Sequence, residues 1–354
     1  MTAKRLPIVS TGSRVEMNID RDTLVLAIET SCDETAAALV LGGTEVVASV
    51  VSSQIDIHAR FGGVVPEVAS RAHVEALPHV VDQTFAQAGV DPTRVNAVAA
   101  TMGPGLIGAL LVGVAAAKSY ALSWDVPFIG ANHLEAHLYA ALLDDPDLEF
   151  PLLVTLVSGG HTMLIEMRGH GDYSILGRTI DDAAGEAFDK IARFLDLGYP
   201  GGPAVEKVAR EGNAAAINFP RAMLHDGLDF SFSGLKTAVI NHVRSNPDVS
   251  SADVAASFQE AVVDVLARKA EKAAIQIGAK GLVLGGGVAA NGTLRDRYGS
   301  VAESLGVRCS LPSREMCTDN AAMIGSAAWY RLRSDGAMAL DTGAFPNLPL
   351  PVRA

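Results

Sequence analysis

One strand–turn–strand plan is written twice into this chain, 128 residues apart from first strand to first strand. In the first copy an aliphatic run over 24–29 leads into the polar turn TSCDET, and an apolar run over 36–41 returns. In the second, 152–157 is followed by Ser158-Gly159-Gly160-His161-Thr162 and a return strand over 163–167. Short apolar runs separated by turn residues read as hairpins. A supersecondary unit that recurs predicts a duplicated architecture, with one ligand-facing turn in each lobe.

The segments between the hairpins have helical spacing. Residues 66–88 carry apolar side chains at that period, and 106–124 form a second helix opened by Gly103-Pro104-Gly105. Later the pattern predicts helices over 186–195, 204–210 and 293–305, a long amphipathic one over 252–276, and a buried strand over 281–284. A Gly-rich break is expected at 199–203. Strands alternating with helices indicate α/β lobes rather than an all-β sandwich.

At 354 residues and about 150 per domain, two domains are expected. With 49% hydrophobic and 19% charged residues the chain is too apolar to be disordered. Its 28 Lys+Arg against 40 Asp+Glu leave a net charge of −12, which argues against a dedicated nucleic-acid coat protein. The three cysteines, Cys32, Cys309 and Cys317, form no C-x-x-C pair, so neither a disulfide framework nor a zinc ribbon is indicated, and a reducing cytoplasm fits. Residues 1–22 read as a flexible tail, with Met17 an alternative start. The longest apolar stretch, 105–117, ends at Lys118, short of the roughly 20 residues a membrane span needs, so no membrane association is expected.

His133 and His137 lie four apart in NHLEAH, which puts both imidazoles on one helix face, a metal-ligand spacing. Two surface histidines would look the same. Glu135 is not where the H-E-x-x-H peptidases carry their base, immediately after the first histidine. A two-histidine site needs a third ligand, typically a carboxylate. Asp319 in CTDNAAM offers one, although aspartate at a helix start is ordinarily an N-cap.

The remaining candidates are weaker one by one. Gly285-Gly286-Gly287, after a strand and before a helix, allows close backbone approach to a ligand but matches neither the Rossmann nor the P-loop spacing. Asp33 and Glu34 on the first turn could hold a cation or orient a phosphate, or simply bond local amides. In DDAAGEAFDK, Asp181 and Asp182 are explained by a helix macrodipole, whereas Asp189 shares a face with Glu186 and is the better ligand candidate. Lys236 reads as structural, or as an RNA phosphate contact. Together, two Ser/Thr/Gly-rich turns and the glycine loops favour a nucleotide held between two lobes.

Taken in order, the blocks IETSCDET (28–35), GGVVPEVASRAH (62–73), MGPGLIGALLVG (102–113), NHLEAH (132–137), LVSGGHT (156–162), DDAAGEAFDK (181–190), YPGGP (199–203), FSFSGLKTAV (230–239), GGGVAANGTLR (285–295) and CTDNAAMIG (317–325) closely resemble the universal tRNA threonylcarbamoyltransferase family. The resemblance spans about residues 24–345. It implies an α/β, two-lobed, actin-like and sugar-kinase-like fold of the ribonuclease-H-like duplicated ATPase superfamily. Lobe I is expected over 23–131 and lobe II over 132–325, with the metal and nucleotide site between them; 326–354 is expected as a C-terminal helix and tail returning to lobe I.

The resemblance also implies a reaction: transfer of threonylcarbamoyl from threonylcarbamoyl-AMP to the exocyclic amine of the adenosine 3′ of the anticodon, in tRNAs reading codons that begin with A. By motif it makes His133, His137 and Asp319 the ligands of one divalent metal per subunit, iron ahead of zinc. It lays Leu156, Val157, Ser158, Gly159 and Gly160 along the donor's phosphate and acyl group. Asp189, Gly202 and Glu206 hold the nucleoside, and Asn291 the adenine or ribose side. Asp33 is the candidate for proton removal or amine placement. Implied partners are tRNA, a paralogous scaffold subunit and a small ATPase subunit. Because phosphate contacts dominate nucleic-acid affinity, an acidic chain needs a local basic patch or basic partners. The alternatives are a small-metabolite or sugar kinase of the same superfamily, a metallopeptidase, and a non-catalytic scaffold.

Overall fold

The computed structural model describes residues 19–352. Of the tail expected over 1–22, residues 1–18, with the alternative start at Met17, lie outside the described residues, and within the rest the Asp20 carbonyl accepts from Trp329 Nε1 at 3.2 Å. In chain order the elements are β1 Leu24–Glu29, β2 Glu34–Leu41, β3 Glu45–Ser53, α1 Ile55–Ala59, α2 Pro66–Ala88, β4 Ala97–Gly103, α3 Ile107–Trp124, β5 Phe128–Asn132 and α4 His133–Asp144. Then follow β6 Leu152–Val157, β7 Thr162–Gly169, β8 Asp172–Arg178, α5 Ala184–Phe194, α6 Gly201–Ala209, α7 Ser233–Ser245 and α8 Ser251–Ile277. The chain ends with β9 Gly281–Gly285, α9 Gly292–Leu305, β10 Arg308–Ser310, α10 Arg314–Cys317 and α11 Ala321–Asp335.

The duplication read from the hairpins extends to whole sheets. The first sheet has the order β3-β2-β1-β4-β5, and the second β8-β7-β6-β9-β10, which is the same permutation. In each, the first three strands are antiparallel and the last two are added in parallel. The two turns close at equivalent registers, Glu29 opposite Ala36 and Val157 opposite Thr162. Parallel additions need crossovers, and the helices supply them.

Two compact units result. Among the described residues the first comprises 19–56, Val64–Pro146 and Asp319–Pro351; the second comprises Ile57–Gly63, Asp147–Thr318 and Val352. Both central strands β1 and β6 are fully buried, so their unbroken apolar runs follow from having packed faces on both sides. The first core gathers Leu26, Ile28, Leu39, Val98 and Met102 with Leu77 and Val114. The second gathers Leu153, Leu164, Phe188, Phe230, Phe258 and Leu284. Helix α3 is apolar enough by length and composition to cross a bilayer, with a mean hydropathy of 1.4. Here Ala109, Leu110, Gly113, Val114, Ala117 and Ala121 are its buried face, packed against β4 and α2.

Two sequence boundaries move. The division at 131/132 falls inside the first unit, because α4 packs with α11 and β5 and the first unit runs on to Pro146. The division at 325/326 falls inside α11; the chain re-enters the first unit at Asp319, and α11 packs on β1 and β2. The Gly-rich segment 199–203 is only partly a break, since Gly201, Gly202 and Pro203 form the first turn of α6.

Candidate active site and metal centre

The end of β5 sets the first histidine. Asn132 accepts a hydrogen bond from the Glu135 amide on its side-chain oxygen (3.1 Å) and donates from Nδ2 to the Pro349 carbonyl (2.8 Å), capping α4 and tying it down. His133 and His137 then stand one turn apart, ring centroids 4.7 Å from each other at 81°. Asp319 joins them from the segment entering α11. Its Oδ1 lies 3.2 Å from His137 Nε2 and 3.5 Å from His133 Nε2. One ligand atom from each of the three lies within 4.8 Å of the others.

The helix-cap reading of Asp319 does not apply, because Asn320 takes that role and accepts from the Met323 amide at 3.0 Å. Nε2 of the buried His137 meets the Asp319 carboxylate at 3.2 Å, and among the described residues its Nδ1 has no hydrogen-bond partner. A buried imidazole in that state is costly. Three convergent lone-pair donors, two nitrogens and an oxygen, fit a divalent ion well.

The charges agree with such a site. Burial works to lower the His133 imidazolium, but the Asp319 and Glu29 carboxylates outweigh it and hold it up at about 9. Asp319 lies below the ordinary carboxylate range: burial opposes this, and the two histidines win. Burial, then Asp319 and Asp33, push the Glu34 carboxyl up. Burial and the same two aspartates push the Cys32 thiol far above its usual range, which removes it as a nucleophile. A dication must displace the His133 proton, so its affinity is expected to rise about tenfold per pH unit from 7 to 9 and then level off, with close to one proton released per ion at pH 7. Calorimetric titration in buffers of different ionisation enthalpy counts that proton. The same raised value means the ion contacts of His133 stabilise the metal-free protein fully below pH 6.5, and that stabilisation is lost as pH rises through 9.

Sequence reasoning missed Glu29. This fully buried carboxylate at the end of β1 accepts from the Ser31 amide and from Thr101 Oγ1 (2.6 Å), and its Oε2 is 3.1 Å from His133 Nδ1. A carboxylate closing an otherwise aliphatic strand was the available signal. Glu135, by contrast, faces Arg331: the guanidinium Nε lies 3.0 and 2.9 Å from its two oxygens and Nη2 2.9 Å from one. The geometry gives Glu135 a structural role and no place as a peptidase base. Asp33 lies on the β1–β2 turn, where its carbonyl accepts from the Gln54 amide (2.9 Å) and its side chain neighbours Cys32 and Glu34.

The second unit gathers the other predicted residues. Leu156 and Val157 end β6, and Ser158, Gly159 and Gly160 form the turn that follows. Gly286 has φ +86°, and a Cβ there would sit 2.6 Å from the Val157 carbonyl oxygen, so the glycine loop after β9 lies directly against this turn. Gly185, at the start of α5, approaches the Ser158 carbonyl equally closely. Asp189 on α5 accepts from the Gly201 amide (2.8 Å), beside Gly202 in the same helix start. Glu206 on α6 accepts from the Gly292 amide at 3.3 Å, and Asn291 caps α9 through the Leu294 amide while donating to Gln259. A cleft of about 180 Å³ within this unit is lined by Gly62, Asp189, Arg193, Gly198 and Tyr199.

The other charged residues of these motifs have partners within the fold. Asp181 is not a dipole partner of α5; its carboxylate accepts from Ser231 Oγ and the Phe232 and Ser233 amides at the start of α7. Glu186 pairs with Lys190 at 2.8 Å. Lys236 lies 3.5 Å from Asp182, in keeping with its structural reading.

Alanine at Gly286 would need a backbone conformation costing about 1–3 kcal/mol and would push the Val157–Ser158 turn aside. Gly286→Ala is expected to weaken roughly tenfold or more the binding of any ligand seated along the 156–160 turn, which calorimetric titration with an adenine nucleotide checks.

The repeated sheet order defines an actin-like, duplicated α/β fold. Solved structures of that class superpose on the chain: HypF of T. kodakarensis with a TM-score of 0.62, at 16% identity over 89% of this chain and 48% of that one, and component A of the (R)-2-hydroxyglutaryl-CoA dehydratase of Acidaminococcus fermentans with 0.53, at 16% over 88% and 100%. At such identities they speak for the fold alone. The sequence goes further: the model of the tRNA N6-adenosine threonylcarbamoyltransferase family matches residues 45–326. Proteins of that name from Moorella thermoacetica and Clostridium perfringens are 56% and 51% identical over 335 residues, covering 93% of this chain and 98% and 99% of theirs. The chain belongs to the tRNA N6-adenosine threonylcarbamoyltransferase family. These relatives do not favour the kinase alternative.

Proposed function

We propose that the chain transfers the threonylcarbamoyl group from threonylcarbamoyl-AMP to the exocyclic amine of the adenosine 3′ of the anticodon, in tRNAs reading codons that begin with A. The observation that carries this is the convergence of His133, His137 and Asp319 within one compact unit, in a chain half identical to transferases of that name. The donor carbonyl is already activated as a mixed anhydride. The amine nitrogen bonds to that carbon, the C–O bond to phosphate breaks, AMP leaves, and the amine gives up a proton. No covalent enzyme intermediate is required, and the raised Cys32 thiol suits that route.

His133, His137 and Asp319 would hold one divalent ion, iron ahead of zinc, and such an ion supplies positive charge and open positions for the donor's phosphate or carbamate oxygens. The turn from Leu156 to Gly160 would run along the donor's phosphate and acyl group. Asp189, Gly202 and Glu206 would hold the nucleoside, and Asn291 its adenine or ribose side. Asp33 would accept the amine proton or place the amine; Asp33→Asn is expected to slow single-turnover transfer by about 10²-fold or more, and an unchanged rate removes it from the mechanism. Cytoplasmic tRNA, a paralogous scaffold subunit and a small ATPase subunit complete the proposed setting.

The deciding experiment is mass spectrometry of tRNA nucleosides from cells depleted of the protein and complemented with wild type or with His133→Ala/His137→Ala. The reading requires threonylcarbamoyladenosine to vanish on depletion and to return only with wild type. A level that never changes refutes the activity.

A further inference from the structure

We infer that Glu29 is a positioning residue for the metal centre: its carboxylate fixes the tautomer and orientation of His133, so that Nδ1 carries the proton and Nε2 presents its lone pair to the ion. This rests on the metal reading proposed above.

His133 is clamped at both nitrogens by different groups. Nε2 faces Asp319, 3.5 Å away, and Nδ1 faces Glu29 Oε2 at 3.1 Å. Ser31 Oγ also lies 3.2 Å from Nδ1. The hydroxyl can donate or accept, so alone it would permit a proton on either ring nitrogen. The Glu29 oxygen 3.1 Å away is an acceptor for that nitrogen and makes Nδ1–H the favoured arrangement; a proton on Nε2 would block the ligand position. Glu29 is itself immobile, being fully buried at the end of a central strand, with Oε1 receiving the Ser31 amide and Oε2 the Thr101 hydroxyl. Carboxylates placed behind a ligating histidine tune metal affinity by about 10- to 100-fold. His137 has no such carboxylate among the described residues, so the orienting function falls on one ligand of the pair.

The test is titration of the metal-free full-length protein with Co²⁺, followed by its d–d absorption, in wild type, Glu29→Gln and Ser31→Ala, with thermal melts of each metal-free protein. Glu29→Gln is expected to weaken Co²⁺ binding about 10- to 100-fold, and Ser31→Ala by less than about threefold. In the Zn²⁺-loaded proteins, the ¹⁵N-resolved Nδ1–H resonance of His133 should be sharp and slowly exchanging in wild type and lost or shifted upfield in Glu29→Gln. A purely structural role would lower the melting temperature and leave affinity and resonance alone. Folded Glu29→Gln protein with wild-type affinity overturns the proposal. Should that variant not fold, Thr101→Val, which keeps the charge and removes one restraint on it, must still weaken binding severalfold, and unchanged affinity there overturns it equally. Failure of wild type itself to bind either metal would instead sink the metal reading.

Discussion

Asp319→Ala protein is expected to lose its bound ion and to transfer threonylcarbamoyl at roughly 10³-fold below the wild-type rate, the several kcal/mol a Lewis-acidic ion supplies. Two imidazoles on adjacent helical turns remain in the variant, but two neutral donors with no anion hold a dication poorly. The helix that follows is not compromised, because Asn320 caps it. Loss of the helix therefore cannot account for the effect, and a thermal-shift series separates the remaining causes. Wild type at 1,000 times its dissociation constant of metal should gain about 4 kcal/mol, and Asp319→Ala should gain none, while metal-free Asp319→Ala melts somewhat below metal-free wild type at neutral pH because His133 loses its carboxylate partner, a difference that closes above pH 9. A variant that retains stoichiometric metal would displace Asp319 from the centre.

The second large effect lies one layer away. Arg331 holds Glu135, whose side chain is only 2% exposed, through three contacts of 3.0 Å or less. Glu135 stands between the two histidines on α4, and Arg331 is on α11, the helix that Asp319 introduces, so this ion pair joins both ligand-bearing segments. Arg331→Met removes the charge that offsets burial of the carboxylate, and stability should fall by about 3–5 kcal/mol. Chemical denaturation measures this, and Glu135→Gln added to Arg331→Met should restore a large part of it. Metal affinity should drop in the single variant too, since α4 and α11 are then less firmly registered. A loss below about 1 kcal/mol would mean that water or a neighbour compensates the carboxylate.

The parts of this architecture that were legible beforehand are those written in periodicity and local chemistry. The hairpins declared themselves because their strands are apolar runs meeting polar turns, and α2 was bounded exactly by Pro66 and by Gly89 after Ala88. His133 and His137 were legible because a four-residue spacing on a helix leaves one geometric outcome. Asp319 was harder: it and Asn320 are both natural caps, and only the backbone decides which one turns toward the histidines. Glu29 escaped because a carboxylate after LVLAI looks like the start of a turn, and the histidine that needs it is 104 residues away. The unit boundary escaped for a related reason. The break with the strongest local signal, Asp144-Asp145-Pro146-Asp147, follows α4 rather than preceding it, yet NHLEAH reads naturally as the opening of a new lobe.

The second unit is inserted into the first, and this orders events at the ribosome. Chain growth reaches Pro146 with both histidines made, then spends the whole of 147–318 on another unit before Asp319 appears. At about 5–20 residues per second that interval lasts roughly ten to thirty seconds. Throughout it the newborn first sheet lacks α11, which packs on β1 and β2, so an apolar surface waits in the open and the two histidines lack their carboxylate neighbour. Assembly of the His133, His137 and Asp319 cluster therefore waits until synthesis has passed Asp319.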